Sequence, residues 1–120
     1  MRFMMLMIPK GYETAAPGAM PAADAVAAMM KYNASLQKAG VLLALDGLHP
    51  PSMGARVSFH GGKPKVTDGP FAEAKEVVGG YWMIQVKSKE EALEWAKRCP
   101  ASDNETIEIR QVREMSNLPE

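Results

Sequence analysis

A chain of 120 residues, 47% hydrophobic and 23% charged, is the size and composition of one soluble globular domain. It can bury roughly 65% of its unfolded surface, so it needs neither disulfides nor a metal to hold a core. Fourteen basic residues balance fourteen acidic ones, which argues against direct nucleic-acid binding through phosphate neutralisation. The single cysteine excludes an internal disulfide and gives no sign of an oxidising compartment. The first apolar run is too short for a membrane span and lacks a signal-peptide layout. A cytoplasmic location with no membrane association is the expectation.

Phe3-Met4-Met5-Leu6-Met7-Ile8, bounded by Pro9 and Gly11, reads as a strand covered on both faces. A loop follows to Gly18, and Pro21 opens a helix with Asp24 at its positive end. Val26, Met29, Met30 and Leu36 form the expected apolar stripe, and Lys38 with Gly40 stops the helix. Val41 to Leu48 is a second apolar strand, interrupted by Asp46-Gly47 and ended by His49-Pro50-Pro51.

Ala55–Phe59 and Pro64–Thr67 flank Gly61-Gly62, the pattern of a β-hairpin. Tyr81–Val86 alternates Trp82, Ile84 and Val86 with Tyr81, Met83 and Gln85, as a half-covered strand does. Ser88 and Glu91 make a capping box for a second helix that turns Ala92, Leu93, Ala96 and Cys99 inward and stops at Pro100. Thr106–Val112 is a last strand, and from Glu114 to Glu120 the tail is polar.

The order strand, helix, strand, hairpin, strand, helix, strand implies one α+β domain, a sandwich of ferredoxin-like type with an inserted hairpin. If both helices cover one sheet face, the other face of the apolar first strand needs cover too. A second copy supplies it most simply, which predicts a homodimer packed sheet to sheet, a dimeric α/β-barrel arrangement.

The densest cluster of chemistry is Thr67-Asp68-Gly69-Pro70-Phe71-Ala72-Glu73-Ala74-Lys75-Glu76, closing on Gly80-Tyr81-Trp82. With Ala92-Leu93-Glu94-Trp95-Ala96 and Arg98-Cys99-Pro100, it resembles the YCII-related family, in the branch named for its DGPF motif, over nearly the whole chain. The resemblance implies a ferredoxin-like dimer, found mostly in bacteria. Some relatives look like small enzymes using a His and an Asp near a helix–sheet cleft; others are associated with extracytoplasmic-function sigma factors. Residues 21–39 contain no His, where the wider family places one on its first helix; Tyr32 and Asn33 are the polar groups there.

Asp68 is the first catalytic candidate, as a general base or ligand-orienting carboxylate. Its structural alternative is capping: Pro70 has no N–H, so the Phe71 N–H is the nearest local donor. His49 beside Asp46-Gly47 is the second, an acid–base group paired with a carboxylate or else an imidazole bonded to loop backbone. Tyr32, Asn33, Asp46, Glu73 and Lys75 are candidates for binding a substrate. For Tyr32 the alternative is a core ring with a wet tip, and for Glu73 and Lys75 a solvated face. Asn33 sits within an apolar stripe and must find a hydrogen-bond partner. Two isolated histidines make no zinc pattern, and Gly61-Gly62 makes no phosphate loop, so neither metal nor nucleotide cofactor is expected. Two functions follow: binding or transforming a small polar molecule in a helix–sheet cleft, or non-catalytic regulation with a sigma factor.

Overall fold

The computed structural model describes residues 1–72 and 74–117. Four strands, β1 (Arg2–Ile8), β2 (Leu42–Gly47), β5 (Gly80–Gln85) and β6 (Thr106–Gln111), form one antiparallel sheet in the order β2-β5-β1-β6. Helices α1 (Ala23–Lys38) and α2 (Lys89–Lys97) connect β1 to β2 and β5 to β6. Between β2 and β5, β3 (Ala55–His60) and β4 (Lys63–Asp68) pair with each other as a separate two-stranded sheet. This α+β arrangement is compatible with a ferredoxin-like fold.

Alternation along the strands decides which side is buried. Phe3, Met5 and Met7 of β1 and Trp82 and Ile84 of β5 point to the helices and form the core with Tyr32, Leu36 and Ala92. Ile107 and Ile109 of β6 and Leu42 and Leu45 of β2 pack around them. Met4, Leu6 and Ile8 turn to the opposite face and stay half-exposed, together with Tyr81 and Met83. Thus β1 is sealed on one face only within its own chain, because both helices lie on the same side of the sheet.

α1 departs from the expected stripe. Tyr32 and Leu36 are buried and Met29 packs beside them, while Val26 and Met30 are exposed. The helix is anchored through its second half, and its first half overhangs the sheet edge. At its end Gly40 takes a left-handed conformation (φ +75°), and Val41 N–H donates to the Leu36 carbonyl at 3.2 Å while Gly40 N–H donates to Gln37 at 3.0 Å. These bonds satisfy carbonyls that would otherwise be orphaned at the helix end.

The start of α2 follows the capping logic, with the Ser88 hydroxyl accepting from Glu91 N–H at 3.1 Å. The Glu91 carboxylate reaches back to Lys87 N–H at 2.9 Å. Ala92 is fully buried, but Leu93 is exposed and Trp95 takes the inward place expected of it. Arg98 stacks over the Trp95 ring at 4.7 Å.

The loop motif is built against the turn Pro51–Met53. Gly69 N–H donates to the Gly54 carbonyl at 2.9 Å, and a Cβ at position 69 would lie 1.7 Å from the Pro51 carbonyl oxygen. Only glycine permits that approach. Phe71 is half-buried under the Arg56 guanidinium, 4.0 Å from its ring centroid, and lies outside the main core. The motif therefore holds the root of the β3–β4 hairpin.

Candidate functional site

Where α1 overhangs the sheet, a cleft opens between its first half, the ends of β1 and β2, the start of β5 and the loop before β6. Three adjoining cavities, of about 500, 250 and 520 Å³, all share Met7 and Pro21 as lining residues. The first is bounded by Tyr12, Met20, Leu48, His49 and Glu105. The second reaches Asn33, Asp46, Tyr81 and Trp82. The third runs under α1 along Val26, Met29 and Met30 to Glu105. Gly79 makes the floor possible: a Cβ there would lie 2.5 Å from the Pro9 ring.

The polar groups on this cleft are few, and most are held. Asn33 Oδ1 accepts from the Trp82 indole N–H at 2.7 Å, so the amide finds its partner and keeps its NH₂ for other acceptors. The Asp46 carboxylate accepts from the Tyr81 hydroxyl at 2.8 Å; that carboxylate holds the Tyr81 phenol above its ordinary range. The Tyr12 hydroxyl donates to the Leu48 carbonyl, fixing the backbone just before His49. The Glu105 carboxylate accepts from Ser102 N–H at 2.7 Å.

His49 is exposed at the mouth of the first cavity. Among the described residues it makes no ion pair with Asp46, whose carboxylate is turned to Tyr81. Tyr32 is buried, and its hydroxyl donates to the Trp95 carbonyl at 2.7 Å. Burial first, and then the Cys99 thiolate charge, drive its phenol well above the ordinary range. Its ring meets Trp82 edge to face at 5.7 Å, so Tyr32 supports the cleft from behind.

Asp68 and Lys75 line none of the three cavities; both are exposed. The Asp68 carboxylate has no hydrogen bond to Phe71 N–H, and its residue pairs with Ala55 at the hairpin root. Glu73 lies outside the described residues. The structure thus brings Asn33 and His49 to one cleft, sets Asp46 at its border with the carboxylate turned to Tyr81 on the other sheet face, and leaves Asp68 and Lys75 off it. Glu105 and Tyr12 are the lining groups that sequence reasoning passed over. Tyr12 opens the short 3-10 turn Tyr12–Thr14 and Glu105 closes the loop before β6; neither belongs to a motif, so no spacing signal marks it. Among the described residues no group of three or more His, Cys, Asp or Glu is placed to hold a metal ion, and no helix is long and apolar enough to cross a membrane.

Residues 1–116 match the YCII-related domain. The chain belongs to the YCII-related family. A curated relative from Rhizobium meliloti (strain 1021), described only as an uncharacterized protein, is 38% identical over 60 residues. That alignment covers 50% of this chain and 48% of the relative, so the chain spans about half the length of the protein it matches.

Cys99 of this YCII-related chain lies behind the cleft, its thiol 4.0 Å from the Met29 sulfur. Burial, and then the negative charge of Glu105, push that thiol up to about 11 from 9.0. Two units mean about a hundredfold less thiolate at neutral pH than an ordinary cysteine carries. Alkylation of the native protein by iodoacetamide at neutral pH is therefore expected to be about tenfold or more slower than after unfolding, since the higher nucleophilicity of a more basic thiolate offsets part of the loss. The same shift has a stability consequence. Between pH 9.0 and about 11 the unfolded thiol ionises while the folded one stays protonated, so stability is complete below pH 9.0 and falls as pH rises toward 11. Urea melts of wild type and Cys99→Ser at pH 8 and pH 10.5 check this: the wild type is expected to lose more of its midpoint.

Proposed function

We propose that this YCII-related domain works as a homodimer and binds a small molecule with an apolar body and a polar end in the cleft beneath α1. One observation carries the reading: three adjoining cavities share Met7 and Pro21, and onto their apolar walls converge only a few polar groups. That combination is the usual character of a small-molecule site. Met7, Met20, Met29 and Met30 along the walls suit a ligand of variable outline, since thioether side chains repack at low cost.

His49 at the mouth is the group placed to exchange a proton with the polar end, and Asn33 orients it; the Asp46 carboxylate, bonded to Tyr81 on the other face of the sheet, takes no part. Asp68 is assigned to the hairpin root rather than to chemistry. The dimer rests on the half-exposed stripe of Met4, Leu6, Ile8 and Met83 on the sheet face away from the helices. Sheet-to-sheet packing would seal it.

Thermal-shift screening with a panel of aromatic and short-chain carboxylic acids, amines and alcohols tests the cleft. A member present at a hundred times its Kd should add about 2.7 kcal/mol. That stabilisation is expected to vanish in Leu48→Asp and Met20→Asp, whose side chains are exposed on the cleft wall. If the same compounds stabilise both variants as well as wild type, or none stabilises wild type, the cleft is not a binding site.

A further inference from the structure

The hairpin β3–β4 has two unlike sides. Its pairs Val57↔Val66 and Phe59↔Pro64 put those four side chains on one side. Arg56, His60, Lys63 and Lys65 alternate with them and fall on the other. Every residue of both strands is exposed, with Phe59 at 70%, Val66 at 66% and Val57 at 53%. Among the described residues nothing covers the apolar side. A lone two-stranded hairpin is marginal in water, and uncovered apolar strands invite association. Yet the root is firmly built, through Gly69 against Pro51 and Arg56 over Phe71.

The shape points the same way. The radius of gyration is 16.4 Å, against about 13.6 Å for a compact chain of this length. The extents of 48 × 44 × 20 Å describe a slab as thick as one sheet and one helix layer. The hairpin therefore extends the slab sideways instead of folding over the sheet.

We propose that the apolar side of this arm docks on a second copy of the chain, beside the sheet-to-sheet contact; the inference rests on the dimer reading above. Area favours a copy over another partner. A four-stranded sheet of this length covers roughly 20 by 20 Å in plan, about half of the ~800 Å² that a stable interface buries on each partner. The arm supplies further surface next to it. Symmetry completes the case: a two-fold axis pairing the sheets gives both arms the same surroundings, so both apolar tips are covered and no open chain of contacts results. The cationic side, carrying Arg56, Lys63 and Lys65, stays in water.

The test compares wild type, the arm variant Phe59→Asp/Val66→Asp and the sheet variant Met83→Lys by sedimentation equilibrium, with circular dichroism as a check on folding. A photo-crosslinking phenylalanine analogue at position 59 gives an independent readout. Wild type is expected to be a dimer, with the dimer Kd raised about a hundredfold or more in the arm variant. The crosslinker should yield a covalent product of twice the 13.1 kDa chain mass. A dimer that keeps its Kd in the arm variant and gives no crosslink between copies, while Met83→Lys dissociates it, overturns the arm and spares the sheet contact. A wild-type monomer overturns both.

Discussion

Replacing Gly69 with alanine is expected to lower stability by about 3 kcal/mol, at the upper end of what overpacking costs. The added Cβ would sit 1.7 Å from the Pro51 carbonyl oxygen and 2.7 Å from its carbon. Both are backbone atoms, so no side-chain rotation relieves the clash. Relief requires moving the turn Pro51–Met53 or breaking the 2.9 Å bond from Gly69 N–H to the Gly54 carbonyl. At about 3–5 °C per kcal/mol for a chain of this size, the melting temperature should fall by about 10–15 °C. Gly54→Ala is the matched control, because its Cβ meets the same Pro51 oxygen at an ordinary 3.6 Å; it should change the melting temperature by no more than a degree or two. A loss at position 69 no larger than at position 54 would mean the root yields freely, and the motif's structural assignment would fail. The experiment also separates structure from chemistry: Asp68→Asn, exposed and off the cleft, should leave ligand stabilisation intact where Gly69→Ala unfolds the root.

Leu36→Ala should have a comparable effect in the main core. Leu36 is fully buried and is, with Tyr32, what ties α1 to the sheet. Truncating a buried leucine costs about 2–5 kcal/mol, the range reflecting how far the site can close around the cavity. Here collapse is limited, because Met5 and Ile84, two of the core residues with no exposure, belong to the central strands and cannot follow. Loss of the anchor should also speed amide hydrogen exchange throughout α1 and abolish ligand binding in the cleft it roofs. Met30→Ala, at 65% exposure one of the stripe positions left outside, should change stability by less than about 0.5 kcal/mol. Equal effects at 36 and 30 would refute the observed rotation of the helix.

Alternation in β5 and the capping box at Ser88 were legible because each rests on neighbours in sequence, where period and spacing carry the signal. The pattern along α1 was legible only as a helix. Val26, Met29, Met30 and Leu36 are all apolar, and nothing local distinguishes those above the sheet from those beyond its edge. Tyr32 was readable as either a core ring or a cleft group; the carbonyl of Trp95, 63 positions away, decided it.

The site divides in the same manner. Asn33 and its need for a partner could be read from the chain, but Trp82 as that partner could not. The Asp68 loop, the most conspicuous segment of the sequence, is dense in special residues because a close backbone approach needs glycine and a fixed turn needs proline. Those demands look the same in one dimension whether they serve catalysis or architecture. What the sequence determined by itself is the family, through its motifs, and the succession of strands and helices with the alternation of β5 and β6, which follow from local period and turn chemistry; that β1 is sealed on one face only within its own chain was not legible, because its run is apolar at every position. The cleft under α1, with Glu105 and Tyr12 on its rim, and the free-standing arm were decided only in three dimensions. They depend on which remote segments the sheet order β2-β5-β1-β6 brings together, and no local rule records that.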